Sequence, residues 1–162
     1  MIFLLTVPFA VWTVCALTDA ATFKIPNRYV GVLVLAWPPS LLLAGAEPAL
    51  WTGGLMIGGA LLLCGFALFA AGLLGAGDAK LIAASGLWIG PSAVLPFIFY
   101  TTVIGAALGL AILRMRSMPL PAFAHGWEWL TALHARERVM PYGVAIALGG
   151  MIALPGGALI GA

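Results

Sequence analysis

Two acidic residues occupy positions at which a carboxylate could do chemistry. Asp19 ends the first apolar run of the sequence, and Asp78 follows the third. A carboxylate at membrane depth costs about 2.5–3.5 kcal/mol on insertion scales and by default indicates a functional site. Two carboxylates that lie close together share one proton, because both cannot ionise at once. The ionised acid can then take a proton from water while the protonated acid polarises a peptide carbonyl, which is the chemistry of aspartyl proteolysis.

The residues around Asp78 favour this interpretation. Gly75 and Gly77 directly precede the acid, and glycine permits tight turns and the close approach of another chain. A peptide substrate needs such room beside a carboxylate pair. Lys80 follows two residues later, where it either biases Asp78 towards ionisation or anchors the end of a helix at the membrane interface.

The segment after Asp19 contains a turn signal. Pro26 and Asn27 predict a reversal of the chain into a second helix, although any hairpin could use the same residues. A structural interpretation of the acids also stays open at this point. In it, Asp19 and Asp78 are interfacial carboxylates that pair with Lys24 and Lys80.

The remaining acids, histidines and cysteines predict no second site. Three glutamates fall in loops, where a solvated or paired role is the default: Glu47, Glu128 and Glu137. His125 and His134 share one loop without a third ligand, so no metal site is expected. Cys15 and Cys64 lie inside apolar runs and are interpreted as packing residues. The sequence predicts no cofactor.

The composition indicates an integral membrane protein. Of the 162 residues, 64% are hydrophobic and only 7% are charged, against about 25% charged residues in soluble domains. This excludes a soluble enzyme, a disordered tail and a nucleic-acid-binding protein. The long apolar runs predict an all-α fold that forms one domain over residues 1–162. The first run lacks a preceding basic residue and is interpreted as a retained helix rather than a signal peptide.

The apolar runs predict about six transmembrane helices. The runs cover residues 2–18, 29–46, 49–74, 81–113 and 141–161. The fourth is too long for one crossing, and Pro91 disfavours helix at Gly90 before it. We therefore expect a break at Gly90-Pro91, with a short helix over residues 78–89 and a full one over 92–113.

The cations test this division. If residues 81–113 cross the membrane twice, all seven cations fall on one side, which the positive-inside rule identifies as cytoplasmic. Both acids then lie near the cytoplasmic face. The 114–140 loop carries Phe123, Trp127, Leu130 and His134 at helical spacing, which predicts an interfacial amphipathic helix. A contact between this loop and a substrate is the alternative interpretation.

Three segments together resemble the type IV prepilin peptidases. They are Asp19 with Ile25-Pro26-Asn27, then Gly75-Ala76-Gly77-Asp78-Ala79-Lys80-Leu81, and finally Pro141-Tyr142-Gly143-Val144-Ala145-Ile146. The short form of the Tad/Flp pilus systems, the TadV/CpaA type, is the nearest resemblance. It covers nearly the whole chain, and the GxGD element with its distance from the first Asp is the most specific part.

The resemblance implies an intramembrane aspartyl protease of the GxGD type with Asp19 and Asp78 as its catalytic pair. It implies a prepilin substrate with a basic leader and a hydrophobic helix, cut at the cytoplasmic boundary of the bacterial inner membrane. Larger prepilin peptidases add a cytoplasmic domain, often with paired cysteines, and methylate the new terminus. This chain has no paired cysteines, so N-methyltransferase activity is not expected. Only Lys24 supplies a positive charge between Asp19 and Ile25, where the family often has several.

Three other functions stay open from the sequence. The same chemistry could process another class III signal peptide, that of a pseudopilin or a preflagellin. A small proton- or ion-coupled membrane carrier could use the two acids as a relay. A non-enzymatic subunit of a pilus assembly machine would make the GxGD glycines incidental.

Overall fold

All the regular secondary structure is helical in the part of the chain that the structure describes. This structure is a computed structural model, and it describes residues 2–117, 131 and 140–157. Five α-helices lie within these ranges: α1 Ile2–Thr22, α2 Asn27–Leu43, α3 Pro48–Ala70, α4 Ala76–Arg116 and α5 Tyr142–Ala153. A short 3-10 helix, Leu154–Gly156, follows α5. The all-α prediction is confirmed for these residues. The predicted interfacial helix of the 114–140 loop lies almost entirely outside them.

Helix α4 contains the predicted break. Gly90 has φ 64° and ψ −175°, a conformation that interrupts the helix just before Pro91. Residues 76–89 and 91–116 are therefore two helical segments. Their ends lie within a few residues of those expected from the apolar run, because the proline and the glycine mark the position of the break.

Contacts with α5 show that the two segments of α4 run in opposite directions. Gly149 of α5 lies against Thr101, and Tyr142 at the start of α5 lies against Gly105. Beyond the other end of α5, Gly157 follows the 3-10 helix and lies against the carbonyls of Trp88 and Ile89. Helix α5 is thus antiparallel to residues 91–116 and parallel to residues 76–89. The described residues form six helical segments in alternating directions.

By length and composition, three of the described helices qualify as membrane spans. They are Leu5–Thr22 within α1, Pro48–Ala70 and Ala76–Arg116. Helix α2 has 17 residues and α5 has 12, so the number of six crossings stays a prediction. Large apolar side chains cover the outer surface, as lipid contact requires, among them Leu35, Leu43, Met56, Leu63, Leu73 and Leu95.

Buried tryptophans join the first segment of α4 to α1 and α2. The indole nitrogen of Trp12 donates to Ser85 Oγ over 2.9 Å, and that of Trp88 donates to the carbonyl of Leu33 over 3.0 Å. Both indoles are almost fully buried, and a buried indole N–H needs such an acceptor. These bonds place α1 and α2 against residues 76–89.

Glycines let α3 and α4 approach closely. A β-carbon at Gly65 would lie 3.2 Å from Ala79, and one at Gly53 would lie 2.9 Å from Pro91. Small residues at a helix interface allow the backbones to pack together in a bilayer, where lipid is as apolar as the side chains. Because Gly65 and Ala79 are in contact, this packing brings the start of α4, and with it Asp78, to the C-terminal end of α3.

Candidate active site

Asp19 lies in the last turn of α1 and is only 4% exposed. Its Oδ2 accepts a hydrogen bond of 2.7 Å from the backbone N–H of Gly143, the second residue of α5. A buried carboxylate requires such a donor, because burial removes it from water. Among the described residues, the hydrogen-bond donor to this carboxylate therefore comes from helix α5.

Asp78 is the third residue of α4 and is half-buried. Its carboxylate folds back against Gly75, the N-cap residue of the helix. A β-carbon at Gly75 would lie 2.7 Å from Asp78 Oδ2, so only glycine leaves room for this return of the side chain. The Asp78 side chain therefore lies against the start of its own helix.

The two acids line the same two cavities. The first cavity has a volume of about 530 Å³ and extends from the acids towards α3 and the start of α5, where its walls include Leu68, Leu73, Leu74, Met140 and Tyr142. The second has a volume of about 570 Å³ and extends towards the turn between α1 and α2, where its walls include Ile25, Pro26, Asn27 and Gly77. The acids thus lie between two adjoining spaces.

The turn after α1 packs directly on the acid-bearing segments. Phe23 ends the helix with a left-handed backbone (φ 55°), and its N–H donates to the Asp19 carbonyl over 2.8 Å. Such a backbone is rare for a bulky residue and stores strain. Ile25 then packs against Gly77, where a β-carbon would lie 3.3 Å from Ile25 Cβ. The turn predicted at Pro26-Asn27 is present, since α2 begins at Asn27.

Lys80 contacts this same turn. Its ammonium donates to Asn27 Oδ1 over 3.2 Å. Lys80 is exposed, and its described polar partner is Asn27 and not Asp78. The structure therefore brings together all seven residues that the sequence singled out: Asp19, Pro26, Asn27, Gly75, Gly77, Asp78 and Lys80.

The positive charges of the described chain lie at the same end of the bundle as the acids. Lys24 and Lys80 adjoin the acids in sequence, and Met140, which lines the first cavity, lies against Gly109. The C-terminal end of α4 therefore reaches this end as well, with Arg114 and Arg116. Arg136 and Arg138 lie outside the described residues.

Four further residues at the site were not predicted as site residues: Phe23, Met140, Tyr142 and Gly143. Tyr142 lines the first cavity beside both acids, and its ring fills the space that Gly105 leaves open. The signal for Tyr142 and Gly143 was the proline-initiated motif at the start of the last apolar run. That motif contains no acid or base, so its place beside Asp19 could not be inferred from residue type.

The arrangement suits hydrolysis by a carboxylate pair. A water molecule between two acids that share a proton can be deprotonated by one while the other polarises a carbonyl. The adjoining cavities give an extended chain room on both sides of such a centre. Within residues 2–117 and 140–157, no group of three His, Cys, Asp or Glu side chains could hold a metal ion.

One comparison with known proteins matches this chain. A model of the type IV leader peptidase family matches residues 6–110. The match includes both acids, the turn after α1 and the glycines before Asp78, and it ends before α5. No curated protein and no solved structure matches the chain.

Proposed function

The chain belongs to the type IV leader peptidase family, and on this premise we propose that it is a membrane-embedded aspartic endopeptidase. Its proposed substrates are type IVb prepilins of the Flp/Tad class, from which it removes the basic leader. One observation carries the proposal. Asp19 and Asp78, far apart in the sequence and on different helices, line the same two cavities.

The proposed mechanism uses the two carboxylates as a general base and a general acid. The ionised acid takes a proton from water, and the resulting hydroxide oxygen attacks the scissile carbonyl carbon. The protonated acid gives its proton to the carbonyl oxygen, which yields a neutral tetrahedral diol. As the C–N bond breaks, the acid that took the proton from water gives it to the leaving nitrogen, while the other acid takes a proton from one hydroxyl of the diol, which becomes the new carboxyl group. The pair ends with the single shared proton with which it began.

The residues around the pair have supporting roles in this proposal. Gly75 lets Asp78 fold back onto the start of α4, and Gly77 lets the turn after α1 pack beside it. Lys80 holds that turn through Asn27. These contacts support a fixed separation between the two acids, on which proton transfer to and from one water molecule depends.

The proposed location is the bacterial inner membrane, with the carboxylates near the cytoplasmic face. Its support is the cluster of described cations at the acid-bearing end of the bundle, since cytoplasmic loops are enriched in Lys and Arg. A prepilin presents its leader and the start of its hydrophobic helix at this boundary. The proposal covers leader cleavage and not N-methylation, because the sequence has no paired cysteines.

Co-expression with a prepilin tests the proposal. The wild-type chain is expected to shorten an Flp-type prepilin by its leader, seen as a shift on a gel, and mass spectrometry identifies the bond that is cut. Asp19→Asn and Asp78→Asn should each abolish the shift at unchanged membrane levels. Glu47→Gln is the matched control, because Glu47 is an exposed acid at the start of α3. Persistent cleavage by either aspartate variant would contradict the assignment of the pair.

Two further arms separate the alternative functions. A pseudopilin and a preflagellin, tested as substrates in the same assay, define which class of leader is cut. Asp19→Glu and Asp78→Glu distinguish the peptidase from a carrier. A proton relay tolerates the longer acid and retains transport, whereas a pair that must hold one water molecule between its oxygens loses cleavage.

A further inference from the structure

Gly143 contacts Asp19 across 124 residues of sequence. Its N–H lies 2.7 Å from Asp19 Oδ2, the short distance of a hydrogen bond to a charged acceptor. Both residues are buried. Gly143 lies outside residues 6–110, the part of the chain that the family model matches.

This N–H is free to bind a carboxylate because of its place in α5. Gly143 is the second residue of the helix, and the first N–H groups of a helix have no partner within it. The neighbouring N–H groups bond locally, from Tyr142 to the Met140 carbonyl and from Val144 to the Pro141 carbonyl. The partial positive charge at a helix N-terminus adds to the attraction for a carboxylate.

The close contact requires glycine at position 143. A β-carbon there would lie 2.8 Å from Asp19 Oδ2 and 2.8 Å from Ile25 Cδ1, and real β-carbons essentially never approach other atoms within 3.0 Å. Glycine is needed here for space and not for an unusual backbone angle, since Gly143 does not have a positive φ. Any side chain would push the Asp19 carboxylate away.

Gly143 lines neither of the two cavities that contain the acids. It therefore reaches the site through Asp19. Gly75 stands in a similar spatial relation to the other acid, since its missing β-carbon makes room for Asp78 Oδ2. Each carboxylate thus lies against a glycine at a helix N-terminus, at a position with no space for a β-carbon.

We propose that Gly143 is a positioning residue, whose N–H fixes Oδ2 of Asp19 so that Oδ1 is the oxygen that acts on water and substrate. This inference rests on the proposed peptidase function. It extends the working site to α5, so that the carboxylate pair depends on a backbone group that follows both acids in the sequence.

Steady-state cleavage by the purified full-length chain tests the inference. Gly143→Ala is expected to lower kcat about 10- to 100-fold, the range that a misplaced catalytic group produces. KM should stay within about threefold of the wild-type value, because the lost interaction does not involve bound substrate. Gly31→Ala is the matched control, since Gly31 is a helical glycine with nothing within 4 Å of the added carbon, and it should leave both constants unchanged. A raised KM at constant kcat would overturn the inference.

A second variant separates the displacement of Asp19 from the clash with Ile25. Ile25→Val removes the Cδ1 atom that the new β-carbon would meet, but it leaves Asp19 Oδ2 in place. Gly143→Ala combined with Ile25→Val is compared with Ile25→Val alone. The same loss of kcat is expected in this background. Full rescue would show that packing against Ile25 explains the defect, and it would overturn the inference.

A backbone ester removes the donor without adding an atom. Glycolic acid, placed at position 143 by suppressor-based translation, replaces the N–H with oxygen. No helical hydrogen bond to a described residue is lost, because the described acceptor of this N–H is Asp19 Oδ2. The ester should lower kcat as the alanine does, while the midpoint of thermal unfolding in detergent stays close to that of the wild type. An ester enzyme with wild-type kcat would overturn the inference even if Gly143→Ala fails to fold.

A spectroscopic arm keeps this inference distinct from the proposed function. In protein labelled with 15N-glycine, the Gly143 signal is the one missing from Gly143→Ala. We expect its proton shift to lie downfield and to move upfield in Asp19→Ala. A signal that does not respond would overturn the inference. If the signal responds but the wild type cleaves no leader, the proposed function fails while the bond between Gly143 and Asp19 stands.

Discussion

The Lys80 ammonium and the Asn27 side-chain oxygen lie 3.2 Å apart and join the start of α4 to the start of α2. Asp78 lies two residues before Lys80, and the turn that follows Asp19 leads into Asn27. This one exposed contact therefore connects the two segments that carry the acids. Its contribution is expected to affect their relative position more than the stability of the fold.

Lys80→Met and Asn27→Ala should each slow leader cleavage by about two- to fivefold, which corresponds to a net contribution of about 0.5–1 kcal/mol from one hydrogen bond. Because both changes remove the same bond, the double variant should be no slower than the slower single variant. The rates are measured with purified enzyme on one prepilin. Fully additive losses would show that the two side chains act separately.

Larger residues at position 77 should impair the site in steps. A β-carbon at Gly77 would lie 3.3 Å from Ile25 Cβ, which an alanine tolerates after a small shift of the turn. The additional carbons of valine do not fit, and overpacking of this kind costs about 1–3 kcal/mol. Gly77→Ala should therefore reduce cleavage moderately and Gly77→Val almost completely. Gly59→Val, at a position with open space, serves as the control, and an equal loss in this control would contradict the packing argument.

Removal of the Ser85 hydroxyl should destabilise the helix bundle. Ser85→Ala leaves the buried indole N–H of Trp12 without its acceptor, at a cost of about 1 kcal/mol in a membrane protein. The measurement is the free energy of unfolding in detergent micelles. Ser40→Ala is the comparison, because among the described residues the Ser40 hydroxyl bonds to Ala36 of its own helix, and its loss should be close to neutral. The prediction is wrong if the two variants unfold alike.

Gly90→Ala should lower stability through the backbone alone. Nothing lies within 4 Å of a β-carbon at this position, yet φ 64° with ψ −175° is a conformation that is essentially restricted to glycine. The expected cost is about 1–3 kcal/mol, measured as a lower midpoint of thermal unfolding. Gly59→Ala also has open space but ordinary helical geometry, and it should be neutral or stabilising. A Gly90 variant as stable as this control would show that the break tolerates other residues.

The apolar runs predicted the positions of the helices well. They predicted the polar ends of the helices less well. The first run stops at Thr18, but α1 continues to Thr22 and includes Asp19. Hydropathy cannot show this last turn, which the Thr22 hydroxyl helps to close through its bond to the Thr18 carbonyl. The break at Gly90 was predictable because a proline lies within a run too long for one crossing.

That Asp19 and Asp78 line the same cavities was predictable in outline, since the C-terminal end of α1 and the N-terminal end of α4 were both expected near the cytoplasmic face. The contact of Asp19 with Gly143 was not. It is made by a backbone N–H, which every residue except proline carries, and it depends on how α5 packs between α1 and α4. The left-handed backbone of Phe23 could not be predicted from the sequence either, because a bulky residue is not expected to adopt it.

The distance in sequence between Asp19 and Gly143 sets an order of events during synthesis. The ribosome makes the chain from its N-terminus at about 5–20 residues per second, so the 124 positions from Asp19 to Gly143 take about 6–25 s. Throughout that interval Asp19 has been synthesised but Gly143 has not. A nascent chain that ends before α5 therefore carries both acids without the group that holds one of them, and the site is assembled only when the last helix arrives.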